Sequence, residues 1–120
     1  MRTAAQQLGD DAERLVANRL TVAGWTILGH QVRVGRAEID LIAVDPGPPR
    51  TLVFVEVRWR AGRAFGLAEE TVGHAKRSRV HKAAYRLLEA PTSTLPRLPV
   101  RFDLIAVEPG GRIRHHRHGA

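Results

Sequence analysis

TLVFVEVRW, residues 51–59, is the stretch of sequence that decides the fold. It is rich in β-branched and aromatic residues, a composition that predicts a β-strand. Because its apolar run is nearly continuous, we expect both faces of this strand to be buried at the centre of a sheet. Glu56 and Arg58 interrupt the run, and the two-residue period of a strand places them on one face.

The segments around this strand predict the order α-β-β-β-α-β, from apolar periodicity and from Gly and Pro at the boundaries. The predicted elements are a helix over 5–23, strands over 25–34, 38–44, 51–59 and 100–107, and a helix from about Ala68 to Ala90. Three consecutive strands indicate an antiparallel meander, and the second helix returns the chain to a fourth strand. We therefore expect an α/β fold at the border of α+β, with a mixed β-sheet flanked by helices.

The chain length and composition fit a single globular domain. The 120 residues contain no cysteine, which excludes disulfide frameworks, thiolate zinc sites and cysteine nucleophiles. We expect the domain to span residues 1–110, followed by a solvated basic His/Arg-rich tail at 111–120 that adds at most a short edge strand around Ile113. Neither a signal peptide nor a membrane span is evident, so the expected location is the cytoplasm, with no membrane partner.

The positive charge is concentrated in the second half of the chain. The formal net charge is +7, whereas residues 1–70 carry nine Arg and nine Asp or Glu and are therefore neutral. A basic half is typical of a surface that binds a polyanion such as nucleic acid, although a solvated cationic face gives the same pattern. The candidate phosphate contacts are Arg77, Arg79, Lys82 and Arg101.

Three carboxylates lie within strands otherwise composed of apolar residues. Glu38 and Asp40 share one face of the second strand, and Glu56 lies on the third. Buried carboxylates are costly unless they are paired or bind a cation, and Arg58 is the one obvious local cation. This imbalance favours an oxygen-only site for Mg²⁺ or Mn²⁺, while ordinary ion pairs with arginines remain the alternative.

Both predicted helices direct a charged residue towards the same region. Lys76 falls near the middle of the apolar stripe of the second helix, whereas Arg77, His81 and Tyr85 point away from it. Glu13 lies at the border of the apolar stripe of the first helix. A lysine in such a position commonly extends to solvent, but here it would approach a sheet that carries carboxylates.

AEIDLI at 37–42, followed by FVEVR at 54–58, resembles the (G)EIDLI…FVEVK signature of the YraN-like family. That bacterial family is assigned to the PD-(D/E)XK, or restriction-endonuclease-like, nuclease superfamily, and it is similar to Holliday-junction resolvases. The resemblance extends over nearly the whole chain. It includes Glu13, Phe65-Gly66, Lys76 and Arg101-Phe102-Asp103.

The resemblance implies a restriction-endonuclease-like fold and hydrolysis of phosphodiester bonds. We expect DNA rather than RNA as the substrate, although the sequence leaves this choice open. It makes Asp40, Glu56 and the Val57 carbonyl ligands of Mg²⁺ or Mn²⁺, with Glu13 as the acidic residue contributed by the first helix. Arg58 occupies the position of the signature lysine, and Lys76 would position water or phosphate. The resemblance also implies that a two-fold homodimer is possible, with contacts through loop 60–67 or through the strand next to the third strand.

The arginine at position 58 leaves three functions open. Arginine keeps the charge of lysine but does not act as a base. The protein is then a metal-dependent endonuclease acting on branched or flapped DNA, a catalytically weakened nucleic-acid-binding or assembly module of the same fold, or a purely structural partner in a complex.

Overall fold

The computed structural model describes residues 2–60 and 74–118. Its elements are α1 (Ala4–Val22), β1 (Thr26–Val34), β2 (Ala37–Asp45), β3 (Thr51–Trp59), α2 (His74–Glu89), β4 (Val100–Val107), a short 3₁₀ turn (Pro109–Gly111) and β5 (Ile113–His118). The expected start of the second helix at Ala68, and the loop at 60–67 apart from Arg60, lie outside the described residues. No helix in these ranges is long and apolar enough to cross a membrane.

The five strands form one mixed sheet in the order β1-β2-β3-β4-β5. β1, β2 and β3 pair as an antiparallel meander, β3 pairs with β4 in parallel, and β4 pairs with β5 antiparallel. The parallel pair needs a crossover connection, which contains α2. Residues 51–55 of β3 are buried, so its predicted central position is confirmed. The α+β fold and the predicted element order are likewise confirmed, with β5 as an additional strand.

The two helices cover opposite faces of the sheet. α1 begins at a capping box, in which the Thr3 hydroxyl accepts from the Gln6 N–H and the Gln6 side chain accepts from the Thr3 N–H. Its buried residues pack on one face, against Leu41, Val55 and Ile105. The other face packs against Ala83 and Ala84 of α2. Its buried residues are Ile39, Ile42, Val44, Leu52, Phe54 and Phe102. The sheet is thus the middle layer of three.

β2 and β3 separate near the middle of β2. Towards the start of β2, the last residue pair between β2 and β3 is Leu41↔Val55. The pairing between β1 and β2 continues further, to Val34↔Ala37. Residues 37–39 therefore pair with β1 alone, and Asp40 lies between the two ladders. The carboxylates predicted from the sequence lie where the two strands separate.

The C-terminal segment is ordered as a strand. Ile113–His118 pairs with β4 from Val107↔Ile113 to Phe102↔His118, which confirms the expected edge strand and lengthens it. The expectation that His115 lies in a solvated tail is wrong, because its side chain is 20% exposed and its Nε2 lies 2.8 Å from Asp103 Oδ2.

Candidate active site

Asp40 lies at the separation of β2 and β3 and partly fills the gap between them. Its Oδ2 accepts a hydrogen bond from the Val57 backbone N–H at 2.8 Å. The backbone pairing of β2 with β3 has ended at this point, so the Asp40 side chain takes the place of a backbone acceptor. Burial and, to a smaller extent, the charges of Glu56 and Glu38 raise the pKa of Asp40 to about 6, against the opposing effects of the Val57 hydrogen bond and the charge of Lys76. This carboxyl group is therefore short of compensating positive charge.

Glu56 accepts two charged partners at one oxygen. Its Oε1 lies 2.7 Å from Arg58 Nη2 and 3.2 Å from Lys76 Nζ. The Glu56 side chain is 13% exposed, whereas that of Lys76 is 44% exposed. Arg58 lies on the same face of β3 as Glu56, two residues further along, and Lys76 reaches Glu56 from α2. The structure therefore brings Glu56, Arg58 and Lys76 together, as the sequence predicted.

Glu13 approaches the same region from α1. Burial raises its pKa to about 7, and the charge of Asp40 is the next contribution in that direction. Gln31 of β1 donates from Nε2 to Glu13 Oε2 at 3.4 Å and to Asp10 Oδ1 at 3.1 Å. The first of these hydrogen bonds opposes the rise in the pKa of Glu13. The charges of Glu13 and Asp40 are thus coupled across the end of the β2–β3 ladder.

Gln31 is a residue that the sequence did not point to. It adopts a φ of +46°, an uncommon conformation for a residue with a side chain, and its amide contacts two carboxylates of α1. A glutamine in a strand carries no signal of this role, because the contact joins residues 18 positions apart.

The donor set at this point is compatible with a hard divalent cation. Its side-chain donors are oxygens, and Asp40 Oδ1 accepts no hydrogen bond from residues 2–60 or 74–118. A cation would also relieve the repulsion that raises the pKa of Asp40. Over the same ranges, no group of three or more His, Cys, Asp or Glu side chains could hold a metal ion. Any such site would rest on Asp40 and Glu56, with the remaining ligands from backbone oxygens and water.

The cations of α2 differ from Arg101 in their surroundings. Arg79 and Lys82 are exposed on α2, and Arg77 is half-buried. Arg101, by contrast, is 17% exposed, and its guanidinium lies 2.8 Å from Asp103 and 2.9 Å from Asp45. We therefore revise the expectation that Arg101 contacts phosphate, because its donors are directed into the protein.

Asp103 is the centre of this second charged cluster. Its side chain is fully buried and accepts from Arg101 Nε and Nη2, while His115 Nε2 lies within hydrogen-bond distance. Burial raises the pKa of Asp103, but the hydrogen bonds from His115 and Arg101 outweigh burial and hold it below its ordinary value. Trp25 packs beside the cluster, with the Arg101 guanidinium 5.7 Å from its ring centre. This network joins β2, β4 and β5.

His81 also differs from expectation. The helical period placed it away from the sheet, but its ring stacks on Phe102 of β4, with ring centres 3.7 Å apart. Burial lowers the pKa of His81, and the neighbouring Arg77 lowers it further.

The fold and the site together define a small α+β protein whose mixed sheet opens around a cluster of coupled carboxyl groups. The chain belongs to the uncharacterised protein family UPF0102, whose model matches residues 12–107. The resemblance to the YraN-like family is thereby confirmed at the level of the family.

Curated relatives support the same membership. A UPF0102 protein of Symbiobacterium thermophilum is 42% identical over 112 residues, which cover 92% of this chain and 91% of the relative. Others from Maricaulis maris and Roseiflexus castenholzii are each 38% identical, covering 97% and 88% of this chain and 87% and 82% of their own lengths.

Among solved structures, one match is SfsA of Pyrococcus furiosus in complex with Ca²⁺. It is 16% identical and covers 96% of this chain but 64% of the archaeal chain, with a TM-score of 0.29. A similarity of that size carries no argument about function.

Proposed function

We propose that this protein is a metal-dependent nuclease that hydrolyses phosphodiester bonds of DNA, with branched or flapped DNA as the preferred substrate. The observation that carries the proposal is the placement of Asp40 beside Glu56, Arg58 and Lys76 where β2 and β3 separate. Carboxyl groups of raised pKa beside strong cations are typical of catalytic sites. The resemblance to the PD-(D/E)XK superfamily in the motifs of β2 and β3 supports the same reaction.

In this proposal each side chain has a separate task. Asp40 and Glu56 would hold the cation, and the Val57 N–H fixes the rotamer of Asp40. Arg58 and Lys76, which contact Glu56 in the free protein, turn to the phosphate or the attacking water when DNA enters. Glu13 adds negative charge from α1 and, with a pKa of about 7, is able to accept a proton near neutral pH. A bound Mg²⁺ or Mn²⁺ would neutralise charge on the scissile phosphate and lower the pKa of the attacking water.

Cleavage of DNA by an Asp40→Asn variant tests this proposal. Wild-type protein and variant are incubated with plasmid, single-stranded, flapped and four-way-junction DNA in Mn²⁺, in Mg²⁺ and in EDTA. We expect wild-type cleavage that needs the metal, and a loss of at least about 100-fold in the variant, since metal-bound nucleophiles and charge stabilisation contribute rate factors of this order or more.

Asp11→Asn is the matched control, because Asp11 is an exposed carboxylate of α1. It should cleave at the wild-type rate. Absence of wild-type cleavage on all four substrates, or equal cleavage by Asp40→Asn, would refute the proposal.

A second function, a nucleic-acid-binding module without catalysis, is favoured by one observation. Arg58 and Lys76 both contact Glu56 Oε1, so one of the two proposed metal ligands is already neutralised by two cations. Arg58→Lys separates the two functions. An impaired nuclease gains activity when the signature lysine returns, whereas a binding module stays inactive and binds DNA in a salt-dependent manner.

A further inference from the structure

An open groove of about 620 Å³ runs along α2 on the side away from α1. Its lining residues are Arg77, Ser78, His81, Lys82, Tyr85, Arg86 and Glu89. Arg77 and His81 also line a smaller pocket of about 120 Å³ that includes Glu56. The groove is therefore adjacent to the candidate active site.

Aromatic rings extend from the core to this groove. Phe54 of β3 and Phe102 of β4 stack with ring centres 5.4 Å apart, and His81 stacks on Phe102 at 3.7 Å. Tyr85 is tilted against Phe102 at 6.1 Å and is 41% exposed. His81 and Tyr85 thus present aromatic surface to the groove, supported from beneath by rings that are buried in the sheet.

The same groove carries an excess of positive charge. Arg77, Lys82 and Arg86 line it against the single acidic residue Glu89. Within the part of the chain that the structure describes, none of these three cations forms an ion pair with a carboxylate. Lys82 and Arg86 flank Tyr85 at helical positions i−3 and i+1. Aromatic surface between unpaired cations is the combination that binds single-stranded nucleic acid.

We propose that this groove binds an unpaired nucleotide of the DNA, with the base stacked on Tyr85 and His81 and the adjacent phosphates held by Arg77 and Lys82. The proposal rests on the proposed function in taking DNA as the ligand, and it adds a preference for single-stranded segments beside the cleaved bond. A duplex keeps its bases stacked within the helix, so a duplex would use the cations of the groove but not its aromatic rings. The lowered pKa of His81 agrees with this role, because a neutral imidazole stacks on a base without the cost of desolvating a charge.

Binding measured without catalysis tests the inference. The full chain is titrated in EDTA against fluorescent oligothymidylate of about 20 nucleotides and against a blunt duplex of similar length, and anisotropy gives both dissociation constants. We expect Tyr85→Ala to weaken single-strand binding about tenfold and duplex binding by less than about twofold, because stacking contributes to the single strand alone. Tyr85→Phe, which keeps the ring, should bind the single strand like the wild type.

Leu8→Ala is the matched control, since Leu8 is a similarly exposed apolar residue of the other helix; it should change neither constant. Equal losses on both ligands in Tyr85→Ala, no loss on either, or no single-strand binding by the wild type would overturn the inference. Tyr85-dependent binding without cleavage in Mn²⁺ would overturn the nuclease and leave this groove assigned. Cleavage without a Tyr85-dependent preference for the single strand would overturn the groove and leave the nuclease.

Discussion

Glu13 and Asp40 show at the scale of single residues how this site acts against stability. Both carboxyl groups are partly removed from water, which raises the pKa of each. The charge of Asp40 raises the pKa of Glu13 further, and Glu56 and Glu38 act in the same way on Asp40. A pair of carboxyl groups in this setting suits a ligand that needs negative charge there.

The pH dependence of stability should change in a Glu13→Gln variant. The pKa of Glu13 is raised from 4.5 to about 7, so the folded protein holds this proton more tightly than the unfolded chain. The stabilisation is complete below about pH 4.5 and is lost as the pH rises through about 7. Glutamine avoids that loss, and after allowance for screening by water at this partly exposed position we expect a gain of about 1 kcal/mol at pH 8.

Thermal unfolding in EDTA measures this effect. The Tm of Glu13→Gln should exceed that of the wild type by roughly 4 °C at pH 8, and the two should agree at pH 4.5. Glu89→Gln, an exposed change in α2, should show no such pH-dependent difference. The same Tm difference at both pH values would contradict the assignment of the raised pKa.

The sequence predicted which of these residues lie together in some cases and not in others. Asp40, Glu56 and Arg58 follow from the alternation of β2 and β3, and Lys76 from the helical period, because these patterns are local. Arg101 was misassigned because its partner Asp45 is 56 residues away, and no local pattern shows that pairing.

At the scale of elements, the turn between β2 and β3 determines how the two site strands meet. Asp45 ends β2, and its Oδ1 accepts from the Gly47 N–H at 2.9 Å. Gly47 has a φ of +64°, and a Cβ built there would collide with the carbonyl of Pro49. The turn therefore needs glycine both for its backbone conformation and for the space beside it.

Gly47→Ala should destabilise the protein more than Gly110→Ala does. Gly110 also has a positive φ, +86°, but a Cβ there meets no atom within 4 Å. We expect losses in the free energy of unfolding of about 1–2 kcal/mol at Gly110, from backbone strain alone, and of about 3 kcal/mol at Gly47, where the collision adds to strain. Urea unfolding of the two variants measures both values, and a larger loss at Gly110 would contradict this explanation.

Most elements could be predicted from periodicity, since α1, β2, β3 and β4 each bury a regular pattern of apolar residues. β5 is the exception. Its sequence, IRHHRH, has one apolar residue and high polarity, which indicates a tail. It is a strand because β4 offers a free edge and because Asp103, buried in β4, binds His115 across the pair. Tertiary contacts here override a weak local preference.

At the scale of the whole molecule, the positive charge is divided between inward and outward side chains. Arg101 and Arg58 form ion pairs with carboxylates inside the protein, whereas Arg79 and Lys82 of α2 are exposed. The net charge of +7 therefore does not show where the positive charge is accessible. Some cations are paired inside the protein, and others are exposed on α2.

This division predicts the salt dependence of duplex binding. Replacing Arg79 and Lys82 together by glutamine should reduce the slope of log K against log salt by about 2, since each phosphate contact contributes about 0.9. Filter binding over a series of salt concentrations measures the slope. Arg14→Gln with Arg112→Gln removes the same charge from exposed positions outside α2, and it should leave the slope near that of the wild type. Equal reductions in the two double variants would indicate diffuse attraction rather than an interface on α2.

The parallel pairing of β3 with β4 has a consequence for the synthesis of this chain. Trp59, the last residue of β3, precedes Val100, the first of β4, by 41 positions. At about 5–20 residues per second, a ribosome needs roughly 2–8 s to make that stretch. During this interval the edge of β3 that later pairs with β4 has no hydrogen-bonding partner. β3 is also rich in apolar residues, and an exposed edge of this kind pairs readily with other chains. The last third of the polypeptide therefore protects the first half from self-association, and a chain released early would aggregate through β3.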